Sequence, residues 1–447
     1  MTGSGASRAG LLAGLLCLFA LVSSCAPRGD DSIAATPGSP YLLLFAGDRD
    51  ARDSDFLLVI DVDPNSPKRG QPIASVPIGH KMSMPHHMEY AVPPKGEPVF
   101  MNAHDHELSM IVDIAHPKKP FVAKTFRPPA PFRFPHDYTR TPSGTRLVGF
   151  LRSDGASPDP QDKTLPGNHG GIAEYRVDGS LIRTVSAAVP GFTKPIRPYA
   201  FALLPDIDRF VVTSAPMMEQ SWADVIQIYR YSDFKLLHTI ALPPGTDRGG
   251  RLIAGSQAAG FGPRVLGDGT VFLNSYGCAF YHLTAIASEK PVLKVVHALD
   301  TREATNRGKI KGACGIPLQI GRYWVQPVGG LQEVVVLDIA DPDAPKEVYR
   351  LSTPADFNPH WLAQDPIGNR LILGAEFGGE HGFFMLRFDK QTGRLGFDHS
   401  FQGDQRSGML SFLQPRRAGY ISLDKKEWPH GRTGPAWGHA ALFLHKR

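Results

Sequence analysis

Seven times along this 447-residue chain, an aliphatic strand ending in a polar turn is followed by a fresh strand entry, and the copies stand roughly 50–60 residues apart. The unit is plainest in VIDVDPNSP (59–67), IVDIAHPKKP (111–120) and VLDIADPDAP (336–345), and weaker copies start at Ile172, Ile226, Phe280 and Phe383. Each copy alternates apolar and polar residues, favours Val, Ile, Phe and Tyr, and is punctuated by Gly, Pro or Asp, as half-buried antiparallel strands require. Helical solenoids repeat at about 20–47 residues, so the longer period predicts an all-β chain, a seven-bladed β-propeller. With 46 Gly and 40 Pro, turns are too frequent for a helical protein. A domain of this length also needs several packing units rather than one core, and blades supply them.

The innermost strand of each blade should line the central channel. Seven entries to such strands align: MPHHMEYAVP (His86, His87), FPHDYTRT (His136), RPYAFALLP (Tyr199), AGSQAAGFGP (Gln257), GACGIPLQI (Cys314), NPHWLAQ (His360) and PAWGHAALFL (His439). No strands follow the last entry. It is therefore expected to pair with the N-terminal strands around 41–77, closing the ring by joining the two chain ends and removing exposed sheet edges.

Of 17 histidines, His86, His87, His136, His360 and His439 fall near the starts of inner strands, so separate blades bring them to one end of one channel. Imidazole suits copper, zinc, iron or nickel, and a nitrogen-only set leans towards Cu(II) or an open catalytic metal. His116, His238, His297, His399 and His445 lie beside turns or on outer strands and read as ordinary surface residues, and His104, Asp105 and His106 read as a solvated turn. His360 reads as a further ligand, a proton shuttle or a turn cap. Tyr199 and Cys314 are candidates for the substrate side of the channel, and Asp137 and Glu89, by closeness in sequence, for acceptors that orient the imidazoles. Three readings of Cys278 and Cys314 stay open: a disulfide, two inert buried thiols, or a channel thiol at Cys314.

The formal net charge of +5 is mild and no basic run carries interleaved aromatics, which argues against nucleic acid as a partner. The phosphate-cradling GxxxxGK[ST] and the GxSxG nucleophile elbow are missing and no HExxH spacing occurs, so serine hydrolase, kinase and dehydrogenase readings have no support.

Residues 1–24 read as a targeting segment: Arg8 supplies the basic part, residues 11–22 an apolar core, and VSSC (22–25) the close. That tetrapeptide resembles the lipobox of bacterial lipoproteins. The resemblance implies cleavage before Cys25, acylation of its thiol, and a domain anchored to a membrane of the cell envelope, facing the periplasm or outer membrane. Residues 25–40 are expected to be a flexible tether and 41–447 one propeller domain. The Gly-, Arg- and Lys-dense stretch 401–435 is a candidate lid over one channel mouth.

The adjacent pair HH (His86, His87), PH followed by PSG (Pro135, His136, Pro142, Ser143, Gly144), GNHGGIAEYRVDG from Gly167 and GPAWGH ending at His439 together resemble the selenium-binding protein and methanethiol oxidase family. The resemblance implies a propeller holding copper through His86, His87, His136 and His439, and an oxidase converting a small thiol such as methanethiol, with dioxygen, to formaldehyde, hydrogen sulfide and hydrogen peroxide. Where the family continues its histidine pair with Trp and a cysteine cluster, this chain reads MEYAVPPKGEP from Met88. A non-catalytic propeller, acting as a metal carrier or as a scaffold for a protein partner at the channel mouth, is the alternative.

Overall fold

The computed structural model describes residues 33–154, 168–192, 194–217, 221–301, 313–376, 382–403 and 417–445. It is a seven-bladed propeller of four-stranded antiparallel sheets. From the channel outwards, blade 1 runs Ala436–Leu444, Tyr41–Asp48, Phe56–Asp61 and Pro72–Pro77. The inner strands of blades 2 to 7 are Pro85–Met88, Phe132–Arg140, Pro198–Leu204, Arg264–Val265, Leu318–Ile320 and Pro359–Gln364, each followed outwards by its next three strands in chain order. Ring closure follows the sequence expectation: Leu43 pairs with Leu442 and Tyr41 with Leu444, so one sheet is built from both ends of the chain and no inner edge stays open.

The acidic turns of the repeat have a local cause. Asp61, Asp113 and Asp338 end the third strands of blades 1, 2 and 6, and each Oδ1 accepts the backbone N–H two residues on, at 3.0, 2.8 and 3.0 Å. This closes the chain into an Asx turn leading to the outermost strand. Third strands such as Phe56–Asp61 are buried throughout, while outermost strands such as Phe121–Phe126 are half solvated. Apolar side chains of neighbouring sheets interleave between blades; Phe100, Ile111, Tyr138, Val148 and Tyr175, for instance, form one buried cluster between blades 2 and 3.

Part of the segment expected as a tether is seated on blade 7. Asp365 accepts the Ser39 hydroxyl at 2.7 Å, Arg370 donates to the Ser39 carbonyl, and Arg387 donates to the Ile33 carbonyl at 3.0 Å. In the candidate lid, Tyr420–Ser422 adds to the third strand of blade 7, and Trp428 packs on Phe56 with ring centroids 5.1 Å apart. Residues 1–32, including Cys25, and 404–416 lie outside the described residues. Among the described residues no helix is long and apolar enough to cross a membrane.

Candidate metal centre

Each inner strand that carries a predicted site residue is bulged at that residue. In blade 2, Pro85 faces Ala103 and Met88 faces Met101, leaving His86 and His87 opposite Asn102 alone. The same surplus puts His136 and Asp137 opposite Gly149, Tyr199 and Ala200 opposite Thr213, and His439 and Ala440 opposite Phe45. In blade 7, His360 is the extra residue between the pairs Pro359–Ala375 and Trp361–Gly374. A bulge bends the strand and re-aims its side chains, here into the channel.

The residues facing the bulges tie adjacent blades together. Asn102 accepts the His87 N–H and donates to the Pro135 carbonyl, both at 2.6 Å, so one buried amide fixes the histidine pair of blade 2 against the entry to blade 3. Thr213 does similar work, donating to the Phe261 carbonyl at 2.7 Å. Blades 3 and 7 have glycine there instead: a Cβ on Gly149 would lie 2.8 Å from the Pro198 carbonyl oxygen, and one on Gly374 would lie 2.7 Å from that of His439.

The histidines converge. Ring centroids are 4.3 Å apart for His86–His87, 4.3 Å for His86–His439, 4.0 Å for His87–His136 and 4.8 Å for His360–His439. His86, His87 and His439 each bring a ring nitrogen within 4.8 Å of the others, and His136 joins through an Nε2–Nε2 separation of 3.1 Å from His86. All are buried. Burial holds His86, His87, His136 and His439 well below the usual imidazole range, and repulsion among the rings adds to it. The Tyr199 carbonyl, 3.0 Å from His136 Nδ1, pulls the other way and sets that ring's tautomer, leaving Nε2 towards His86.

These residues fit a metal ion. Both ring nitrogens of His87 are buried without a hydrogen-bond partner, a condition proteins avoid unless something completes the site. Two nitrogens bound to one ion at about 2.0–2.1 Å stand about 2.9–3.4 Å apart at ordinary coordination angles, and the 3.1 Å between His86 and His136 falls in that interval. Neutral imidazoles also have no proton to lose before binding.

Other sequence expectations fare differently. Tyr199 lies against the cluster, its ring 4.0 Å from that of His136, and stacks on Phe261 at 4.2 Å. With Trp361, 5.1 Å from His87, and Tyr90 stacked on Trp361, it gives the centre an aromatic wall. Cys314 is not a channel thiol: its sulfur is bonded to Cys278, among buried apolar side chains between blades 5 and 6. Glu89 and Asp137 do not orient the imidazoles. Glu89 is paired with the buried Arg146 at 2.7 Å, with burial pushing its carboxyl up to about 7, and Asp137 accepts from Thr139 at 3.0 Å. The Tyr199 carbonyl takes that part for His136, and Asn102 fixes the backbone of His87 rather than its ring. The turn at His104 is also not solvated as a whole: His104 is buried, 5.8 Å from His86 between ring centroids, and is a sixth imidazole that the inner-strand alignment missed because it sits between the second and third strands of blade 2.

No family model matches the chain, and no curated protein matches it by sequence. Among solved structures it is similar to a hypothetical selenium-binding protein from Sulfolobus tokodaii, with a TM-score of 0.66 and 13% identity over 91% of this chain and 94% of that one. It is also similar to a periplasmic gluconolactonase from Pseudomonas aeruginosa, with a TM-score of 0.55 and 15% identity over 80% of this chain and 94% of that one. The likeness is one of fold. At these identities a propeller can carry unrelated chemistry.

Proposed function

We propose that this chain is a copper-dependent oxidoreductase of the bacterial cell envelope that oxidises a small thiol with dioxygen. The observation that carries the reading is the convergence of four buried, neutral imidazoles, His86, His87, His136 and His439, around a position where both nitrogens of His87 lack a partner. The donor set holds nitrogen alone, which favours copper over magnesium, calcium or manganese. The resemblance of the HH, PH and GPAWGH motifs to the methanethiol oxidase family supplies the substrate class, and the balanced reaction would be methanethiol, dioxygen and water to formaldehyde, hydrogen sulfide and hydrogen peroxide. Copper in such a site lowers the pKa of a bound thiol and accepts electrons from it. The chain's own part is to keep the imidazoles neutral and in place, and to exclude bulk water with Tyr199, Phe261, Trp361 and Tyr90. The apolar, closed surroundings suit a small substrate rather than a charged or bulky one.

The test is to supply methanethiol and dioxygen to the copper-loaded domain and measure peroxide and sulfide. Equimolar release of both, lost in His87→Ala, supports the reading; a copper-loaded protein that consumes no thiol contradicts it. A carrier reading is favoured by one observation, that His104 and His360 bring the imidazoles to six, more than one ion requires. It predicts copper that is surrendered to an acceptor without turnover. Anchoring through Cys25 completes the proposal, and is checked by incorporation of a labelled fatty acid that disappears in Cys25→Ala.

A further inference from the structure

The histidines do not stop at the buried centre. His104 occupies the single turn His104–His106 between the second and third strands of blade 2, beside the entry to that blade's inner strand, where the His104 N–H donates to the Met84 carbonyl at 3.1 Å. Its Nδ1–H donates to Asp105 at 3.0 Å, which leaves the Nε2 lone pair bare, and that nitrogen is buried without a partner beside His86. A carboxylate holding one imidazole nitrogen so that the other faces inward is the arrangement that orients metal ligands. On the solvent side of the same turn, His106 donates from Nε2 to the Lys81 carbonyl at 2.9 Å, and its ring lies 5.1 Å from that of His80. With its proton on Nε2, the neutral His106 ring keeps Nδ1 as a lone pair.

The segment that His106 leans on reads HKMSMPHHM from His80 to Met88. Met82 is 67% exposed, the most of any large apolar side chain among the described residues, and Met82 and Met84 both hold the left-handed backbone, with φ of 50° and 52°, which non-glycine residues adopt at a cost. Thioether sulfur is a soft donor that selects Cu(I).

We propose that His80, His106 and Met82 form an outer copper(I) site at the channel mouth, and that His104 passes the ion from it to His86. The transfer exchanges ligands and moves no electrons: bonds from copper to the rim donors break as bonds to His104 and then His86 form, with the ion staying Cu(I) throughout. The inward step rests on the copper reading of the centre, whereas the rim site stands on its own residues.

Delivery of copper(I) to the metal-free domain from its coloured bicinchoninate complex, followed by stopped flow, tests this. His80→Ala with His106→Ala, Met82→Leu, and His104→Ala should each slow loading by about tenfold while reaching the parent's final copper content. Loading at the parent's rate in all three variants overturns the proposal. A second arm uses His87→Ala to disable the centre. That protein should still withdraw copper(I) from the chelator at equilibrium, and lose the ability when His80→Ala and His106→Ala are added. If His87→Ala takes no copper(I), the rim site is refuted. Capture at the rim by a parent whose centre never fills would keep the outer site and refute the centre.

Discussion

Two arcs of the ring solve the same closure problem differently. In blades 7, 1, 2 and 3 the surplus residue of each inner strand is a histidine or sits beside one, and the strands remain paired on both sides of the bulge. In blades 5 and 6 the same stretch leaves the ladder. Its inner strands shrink to Arg264–Val265 and Leu318–Ile320, with the isolated bridges Gly260–Ser275, Cys314–Val328 and Ile316–Trp361 above them, and the Cys278–Cys314 disulfide joins the two blades. Asn274 donates to the Cys314 carbonyl at 3.2 Å from the position where Asn102 holds Pro135. One arc thus directs its irregularity into the histidine cluster, and the other locks it with a covalent bond. The ring closes by strand pairing in both arcs, and the proposed ion would draw its ligands from three blades.

The sharpest way to break this comparison is to remove a ligand. His87→Ala and His136→Ala should each weaken copper binding by more than about 100-fold, read by competition with a chelator, while the metal-free variants still unfold in one cooperative transition. Loss of the fold along with the ion would mean that the histidines are structural. Next in size is the opposite arc. Cys278→Ser with Cys314→Ser opens a loop spanning 36 residues and should cost about 3–4 kcal/mol of stability in denaturant titration, with copper per chain unchanged. Asn102→Ala lies between the two effects: it strands the His87 N–H and the Pro135 carbonyl, and should cost about 1–3 kcal/mol together with about tenfold in copper affinity. The smallest and most discriminating pair is Gly374→Ala and Gly149→Ala. Each adds a Cβ within 2.7–2.8 Å of a carbonyl oxygen on the next inner strand, at about 1–3 kcal/mol. Only Gly374→Ala pushes on a ligand, His439, and only it should alter the copper spectrum.

Much of the scaffold was legible in the sequence because blade structure is periodic. The aliphatic runs ending at Asp61, Asp113 and Asp338 mark third strands directly, and the orphan entry at His439 shows that the chain ends must pair. Five of the six converging histidines could be read from their distance to an inner strand's start. The bulges could not, since a surplus residue shows only when a strand is paired with its neighbour. For the same reason Asn102 looks like any strand polar residue until Pro135 is placed across from it. His104 was hidden by its company: flanked by Asp105 and His106 in a three-residue turn, it carries the pattern of a solvated loop, yet Phe134 stacks on it at 5.2 Å and closes it from water. Cys314 was misplaced because its alignment with the histidine entries gives its position along the channel and not the direction of its side chain.

The central claim is that four imidazoles from three blades hold one copper ion. Its most direct test is elemental analysis of the domain beginning after Cys25, exported in copper-sufficient medium, together with its electron paramagnetic resonance spectrum, in the parent and in His87→Ala. The account predicts about one copper per chain with nitrogen hyperfine structure in the parent and none in the variant. A parent that binds no metal even after reconstitution, or one whose copper survives the loss of His87, would contradict it.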